Sequence, residues 1–343
     1  MKKLLILQAL TIFSLSALQY HVPAAHGGII FQESFDGQAD WNLGGQYDGN
    51  ECSVGNCAAS MPPDWSFYRV MPGASGLSPV ASIRRLPGDL ADHTTTSGKA
   101  LVIYNESVSG VNWPGDGILG KYLGPSVNLP ELYVRLFFRT QTGWQVEDGA
   151  ASKFFRVFHY DGSGNIFQFF STGFSCPVFL WDLALYSGSA AYVNAYRCDP
   201  QGSDYYCGSS GNSYQQTDYF TRFPGDHSPT ASGMYADTQW HQLDFHVKMS
   251  DPGVNNGAME IWYDGELLES RTDVQWKSSS ASASVGWNAF AVGGNSDNTW
   301  TSKGEQWYAI DDITVSTTPI PDDGGGSATA PVAPIHLKIL TVN

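Results

Sequence analysis

Short alternations of apolar and polar residues recur along the chain, and they restrict it to a β-sheet fold. The clearest is the run Glu131-Leu-Tyr-Val-Arg-Leu-Phe-Phe-Arg-Thr140, in which Leu132, Val134, Leu136 and Phe138 alternate with Tyr133, Arg135, Phe137 and Arg139. Successive side chains of a strand point to opposite faces, so this alternation predicts a strand with one core face. No helical period of useful length competes with it. We therefore predict an all-β chain.

Further strand-like runs are separated by Gly, Asn, Asp and Pro, which are typical of turns. These runs lie near 28–36, 100–104, 153–160, 165–171, 240–249, 258–263, 285–292 and 307–316. Asp161-Gly162 and Asp264-Gly265 predict two hairpin turns. Residues 45–98 and 172–236 lack the strand rhythm, so we predict long loops there, the second an insertion tied down by disulfide. A chain of 343 residues fits one large β sandwich with such loops.

The start of the chain has the composition of a secretory signal. Two lysines precede an apolar run that ends near Leu18 and is too short to span a membrane, and small residues follow. We predict a signal peptide over residues 1–25 and a secreted protein, extracellular or periplasmic. Residues 319–343 are a Pro/Gly-rich linker and short tail by composition, which leaves 26–318 as the folded domain.

The charge balance limits the partners. The formal net charge is −15, and removal of Lys2 and Lys3 with the signal would make it −17. Such a surface repels nucleic acid and anionic membranes, so we expect neither as a partner, and we predict a monomer. An anionic ligand must then be held by a local cationic patch.

Five cysteines in an exported chain predict disulfides and one residue left over. Cys52 and Cys57 lie close enough in sequence to close one loop, and Cys198 and Cys207 another. Pairing of Cys176 with Cys198 is the alternative. The spacing does not favour a zinc site.

Three segments in a fixed order suggest a family. They are LYVRLFF…GWQVEDGAASKFFRVF, then WHQLDFHVKMSDPGVNNGAMEIWYDGEL, then VGWNAFAVGGNSDNTW…WYAIDDITVS. This order resembles the concanavalin A-like jelly-roll polysaccharide lyases of the alginate- and glucuronan-lyase type, over about 131–171 and 237–316. The resemblance implies a sandwich of two antiparallel sheets and an extracellular acidic polysaccharide lying across a concave sheet.

β-Elimination of a uronic acid needs a cation for the carboxylate, a base for the proton beside it and an acid for the departing oxygen. We assign Arg135, with Arg139 on the same strand face, to the first task, Lys153 or His159 to the second, and Tyr133 or Tyr160 to the third. Arg156 has the wrong parity to share a face with Lys153 unless a bulge intervenes. The side chains expected to hold sugar are Arg139, Tyr160, Trp113, Trp144, His246 and Lys248.

Two alternatives to a lyase stay open at this level. A non-catalytic carbohydrate-binding or adhesive module would use the same fold, and the linker-like tail favours it. A glycoside hydrolase would need paired carboxylates, for which Glu260, Asp264 and Glu266 are the candidates. The Asp264-Gly265 turn signal indicates that these acids belong to a hairpin instead.

Glu33 and Asp311 each lie on an otherwise apolar strand face. Buried carboxylates need a partner. A structural calcium ion held by Glu33, Asp36, Asp311 or Asp312 would supply one, and hydrogen bonds from loop backbone are the alternative. No other cofactor is expected.

Overall fold

The computed structural model describes sixteen stretches of the chain: 28–42, 50–52, 61–71, 81–88, 90–94, 98–106, 116–142, 144, 151–163, 166–167, 177–186, 189–197, 221–222, 239–279, 281–294 and 305–321. Within them every regular element is a strand. The strands are β1 Ile29–Glu33, β2 Trp41–Asn42, β3 Asn50–Cys52, β4 Phe67–Met71, β5 Ala81–Arg84, β6 Ala100–Glu106, β7 Asp116–Tyr122, β8 Glu131–Thr140, β9 Ala151–Phe158, β10 Val178–Tyr186, β11 Ser189–Arg197, β12 Thr221–Arg222, β13 His241–Lys248, β14 Gly257–Tyr263, β15 Glu266–Val274, β16 Ala289–Gly293 and β17 Glu305–Ser316.

The strands form two antiparallel sheets, as predicted. Sheet A has the order β15-β14-β13-β8-β17-β6-β5-β2, with β1 paired to β17, and sheet B has the order β12-β11-β10-β9-β16-β7-β4-β3. The first and last strands are therefore neighbours, and β8 and β9 belong to different sheets although they follow each other in the chain.

The core lies between the sheets and contains the predicted apolar face of β8. Leu132, Val134, Leu136 and Phe138 are all buried there. Phe155 of sheet B stacks on Phe245 of sheet A, with ring centroids 4.4 Å apart. Burying each such side chain stabilises the fold by about 1.5–3 kcal/mol.

Strand β9 contains one extra residue. Phe155 is opposite Trp181 and Lys153 is opposite Asp182, so two steps along β9 match one step along β10. Both Phe154 and Phe155 are buried in the core, which is the geometry of a β-bulge. The bulge turns Lys153 and Arg156 to the same outward face of sheet B.

Part of that outward face carries a second apolar cluster. Phe158 and Tyr160 pack there with Ile166 and Phe167, and Phe67 contacts both phenylalanines edge-on. Residues 166–167 form a turn, and the rest of the predicted strand 165–171 lies outside the described residues. The Asp264-Gly265 turn does join β14 to β15.

The two predicted loop regions are partly sheet. β3, β4 and β5 lie within 45–98, and β10, β11 and β12 lie within 172–236, so both regions contribute strands to the sheets. The predicted signal peptide lies outside the described residues, as do Cys57, Cys176, Cys198, Cys207 and nearly all of 319–343. Cys52 is described in its backbone alone. In the part of the chain that the structure describes, no helix is long and apolar enough to cross a membrane.

Candidate functional site

The outward face of sheet B brings three charged residues together, and we call this set, with Gly293 and Gly294, the Lys153 face. Lys153 and Arg156 come from β9, and Asp182 of β10 stands directly opposite Lys153. Lys153 is partly exposed, whereas Asp182 is 9% and Arg156 only 1% exposed. Residues directly opposite in an antiparallel pair have Cβ atoms about 4.5–5.5 Å apart, so Lys153 and Asp182 are within interaction distance.

The end of β16 closes over this face. Arg156 donates from Nη1 to the carbonyl oxygen of Gly293 at 2.9 Å. Gly294 has a φ of 148°, and a Cβ added there would lie 2.5 Å from Cβ of Lys153 and 2.7 Å from Nη2 of Arg156. Only glycine allows the backbone to approach the two side chains this closely.

The Lys153 face therefore combines an amine, a guanidinium and a carboxylate at one end of β9. The amine can take or give a proton, and the two other groups fix the local charge. The alternation of residues in the sequence did not place Arg156 beside Lys153, because the bulge is visible only in the pairing of β9 with β10. Asp182 was missed because β10 was taken for part of a loop.

His159 and Tyr160 lie at the other end of β9 and do not join Lys153. Six residues of strand span roughly 20 Å, and the bulge reverses the parity between Lys153 and His159. His159 Nδ1 is 2.8 Å from the carbonyl oxygen of Gly286, and burial lowers the pKa of His159. Tyr160 packs edge-on against Tyr122 with centroids 5.2 Å apart, and burial raises the pKa of both tyrosines.

Arg135 lies on the outward face of sheet A, across the core from Lys153. Its Nε is 2.6 Å from Oδ1 of Asp244, and its Nη1 donates to the carbonyl oxygen of Pro321 at 2.8 Å. Arg139 lies further along the same strand and is buried. Arg135 and Lys153, which were assigned to one reaction, therefore do not lie together, because β8 and β9 belong to different sheets.

Tyr133 also lies on the outward face of sheet A, where it stacks on His246 at 4.3 Å. The two ring nitrogens of His246 are each 2.7 Å from a carboxylate oxygen, one of Glu131 and one of Glu260. Tyr133 donates its hydroxyl to Glu131 at 3.0 Å, and burial together with this bond raises its pKa to about 12. Tyr133 and His246 thus belong to a hydrogen-bonded group on the opposite side of the molecule from Lys153.

The remaining sugar-binding candidates are dispersed. Trp144 is 2% exposed and packs in the core, so its expected exposure is wrong. Lys248 is exposed at the end of β13 in sheet A. Trp113 lies outside the described residues.

The acidic residues near β1 and β17 accept hydrogen bonds from protein groups. Glu33 accepts hydrogen bonds from the Phe35 amide, Gln38 and Trp65, so protein donors supply the partners that a calcium ion was expected to give. Asp311 is buried, accepts from the amides of His93 and Asp312, and has its pKa raised well above the usual range by burial.

Asp36 and Asp312 lie near these groups, and His93 Nδ1 is 2.6 Å from Oδ2 of Asp312. No cluster of three or more potential ligands surrounds one point within the described ranges. These residues therefore do not form a complete calcium site by themselves.

Comparison with known proteins agrees with the fold. The model of the family described as polysaccharide lyase 14 matches residues 191–313, a segment that includes Gly293 and Gly294 but not Lys153 or Arg156. No curated protein matches the chain. The alginate lyase Aly36B, a mutant solved with an alginate tetrasaccharide, is 13% identical with a TM-score of 0.50, and the alignment covers 86% of this chain and 99% of that one.

Two other solved structures are similar to this chain at lower TM-scores. The endo-β-1,4-glucuronan lyase of the fungus Trichoderma reesei is 13% identical, with 84% of this chain and 96% of that one covered and a TM-score of 0.48. The alginate lyase of Aplysia kurodai is 12% identical, with 84% and 98% covered and a TM-score of 0.45. The family-model match and the shared fold confirm that this chain is similar to the jelly-roll polysaccharide lyases.

Proposed function

We propose that the protein cleaves an acidic, uronate-containing polysaccharide by β-elimination at the Lys153 face. One observation carries the proposal: the bulge in β9 turns Lys153 outward beside Arg156 and opposite Asp182, in a chain with a polysaccharide lyase 14 match. The alginate tetrasaccharide bound by the similar Aly36B structure supports a uronate polymer as the substrate class. We also propose that the protein acts outside the cell, as a secreted monomer.

Lys153 is the proposed base. As a neutral amine it takes the proton on the sugar carbon next to the carboxylate, and the electron pair of that C–H bond forms a double bond to the neighbouring ring carbon. The bond from that neighbouring carbon to the glycosidic oxygen breaks, and the departing oxygen takes a proton from the Lys153 ammonium ion, which restores the neutral amine. No water, metal or oxidant enters the balance.

The test is to incubate the mature protein with alginate, glucuronan and other polyuronates while following the ultraviolet absorbance of unsaturated ends. Lys153→Ala and Lys153→Arg should each lose about 10²–10⁴-fold in rate, the usual contribution of a general base. Arginine keeps the positive charge but stays protonated, so it cannot replace a base. Wild-type activity in Lys153→Arg would refute this role and leave Lys153 as a binding cation.

The same assay distinguishes a lyase acting at Lys153 from a non-catalytic module and from a site on sheet A. A non-catalytic module would bind polyuronates on affinity gels and produce no double bonds with any of them. If the site instead lies on the outward face of sheet A, Lys248→Ala would lose activity while Lys153→Ala kept it.

A further inference from the structure

A pocket of about 510 Å³ opens at the β2 end of sheet A, beside β5. Ala81 and Ile83 of β5 belong to the core, so the alternate residues Ser82 and Arg84 lie on the outward face of the strand, and both line the pocket. Lys153 lies on the outward face of sheet B. The pocket is therefore separate from the Lys153 face.

Ser82 contributes a buried hydroxyl group to this pocket. The residue is 1% exposed, and its Oγ has no hydrogen-bond partner within the described ranges. Buried polar groups without a hydrogen bond are uncommon in native proteins, because their loss of water is not compensated. In a residue that lines a pocket, such a hydroxyl is available to a ligand.

Arg84 supplies positive charge beside this hydroxyl. It is exposed, its Nε donates to the carbonyl oxygen of Arg85 at 3.3 Å, and its two terminal nitrogens bond to no group in the described part of the chain. Arg85 lines the pocket with a second guanidinium, and the carboxylate of Asp40 is paired with Lys99 at 2.7 Å. Among the described residues around the pocket, positive charges therefore exceed negative ones, in a chain whose formal net charge is −15.

These groups define the chemistry of a ligand. The terminal nitrogens of an arginine bind a carboxylate through two parallel hydrogen bonds. Ser82 and Arg84 are alternate residues of one strand and lie about 6.5–7 Å apart, so a ligand that contacts both needs a carboxylate and a hydroxyl on one compact scaffold. A uronate residue carries both groups, and pockets of about 300–1,000 Å³ accommodate ligands of this size.

We propose that the pocket beside Ser82 and Arg84 is a second, non-catalytic binding site that takes one uronate residue of an acidic polysaccharide. Arg84 binds the carboxylate, and Ser82 forms a hydrogen bond with a sugar hydroxyl. The choice of a uronate rests on the proposed function, whereas the preference for a carboxylate rests on the residues that line the pocket. Two sites on one protein increase the overall affinity for a polymer beyond that of either site alone.

Hydrogen exchange followed by mass spectrometry tests the binding without cleavage. Oligosaccharides of alginate and of glucuronan are added to the folded Lys153→Ala variant, which keeps the pocket. They should slow amide exchange in the peptide that spans residues 81–88. Arg84→Met in the same background should raise the half-saturating concentration about tenfold or more, because a charge-assisted hydrogen bond is lost. Arg271→Met, which removes an exposed arginine of β15, is the matched control and should leave half-saturation unchanged.

Ser82→Ala distinguishes a ligand-binding hydroxyl from a structural one. Because Oγ has no partner within the described ranges, its removal should leave the urea midpoint unchanged or raise it, while the half-saturating concentration of the oligosaccharide rises. A lowered urea midpoint together with unchanged binding would identify a structural hydroxyl and count against the proposal.

Unchanged exchange at residues 81–88 with every oligouronate overturns the proposal. Slowing by inorganic phosphate without slowing by oligouronates overturns the assignment of a uronate. If the wild type cleaves no polyuronate while residues 81–88 are protected, the proposed function fails and the second site stands. If polyuronates are cleaved and residues 81–88 are not protected, the second site alone fails.

Discussion

Replacing Arg135 by methionine should destabilise the protein strongly, because Arg135 is one half of a nearly buried ion pair. Its side chain is 9% exposed and that of Asp244 is 16% exposed, with Nε and Oδ1 2.6 Å apart. The substitution keeps much of the apolar stem and removes the charge. It also removes the hydrogen bond to Pro321.

The size of the destabilisation depends on the hydrogen-bond donors that Asp244 retains in the variant. Breaking a buried pair from one side costs about 3–5 kcal/mol, since the remaining charge is left uncompensated. Gln242 still donates to Asp244 at 2.5 Å, which places the expected cost near the lower limit, at about 3 kcal/mol. Removing both charges in Arg135→Met/Asp244→Leu should recover at least about 1 kcal/mol relative to the sum of the single variants.

Urea unfolding followed by tryptophan fluorescence measures these differences. Arg271→Met is the matched control, because its pair with Asp273 at 3.0 Å is 34% and 65% exposed and should contribute less than about 1 kcal/mol. The reasoning is refuted if Arg135→Met is no less stable than Arg271→Met, or if the double variant is additive.

Three further outcomes are expected. Gly294→Ala should lower the free energy of unfolding by about 1–3 kcal/mol from its backbone conformation alone, and it should reduce polyuronate cleavage. Gly37→Ala is the control, because a Cβ added there meets nothing within 4 Å, and its urea midpoint and cleavage rate should stay near those of the wild type. Similar losses in both variants would contradict the close approach at Gly294. For Asp311, burial raises the folded-state pKa, so its contribution to stability is complete below the unfolded value and is lost as pH rises through the folded pKa. The melting temperature of Asp311→Asn relative to wild type should therefore increase from about pH 4 to about pH 8, and a constant difference would oppose this. We also propose that Asp36 and Asp312 bind a structural calcium ion together with oxygens from outside the described ranges. Its removal should lower the melting temperature, and a value unmoved by chelator would argue against it.

The sequence predicted the sandwich because alternation records which side of a strand is buried. In β8, Leu132 and Phe138 lie on the predicted core face, although Arg135 and Arg139 on the other face are buried as well. Such a pattern carries no information about which sheet a strand joins. Lys153 and Arg135 were assigned to one reaction, yet the chain crosses from sheet A to sheet B between them.

The candidate site was harder to predict than the core, for two physical reasons. Phe154 and Phe155 are both apolar, so residue type does not show where the alternation gains a residue, and only the pairing with Trp181 and Asp182 reveals it. Strand β10 is nearly continuous in apolar residues and lies between cysteine-containing segments, which hid its alternation and with it Asp182.

The extra residue in β9 makes the outward position of Lys153 and Arg156 depend on chain length rather than on side-chain identity. Deleting Phe154 would change no other residue, yet it would turn one of the two charges toward the core, where an unpaired charge is costly. A surface of this kind can be gained or lost by the insertion or deletion of a single codon, a step that no point substitution reproduces.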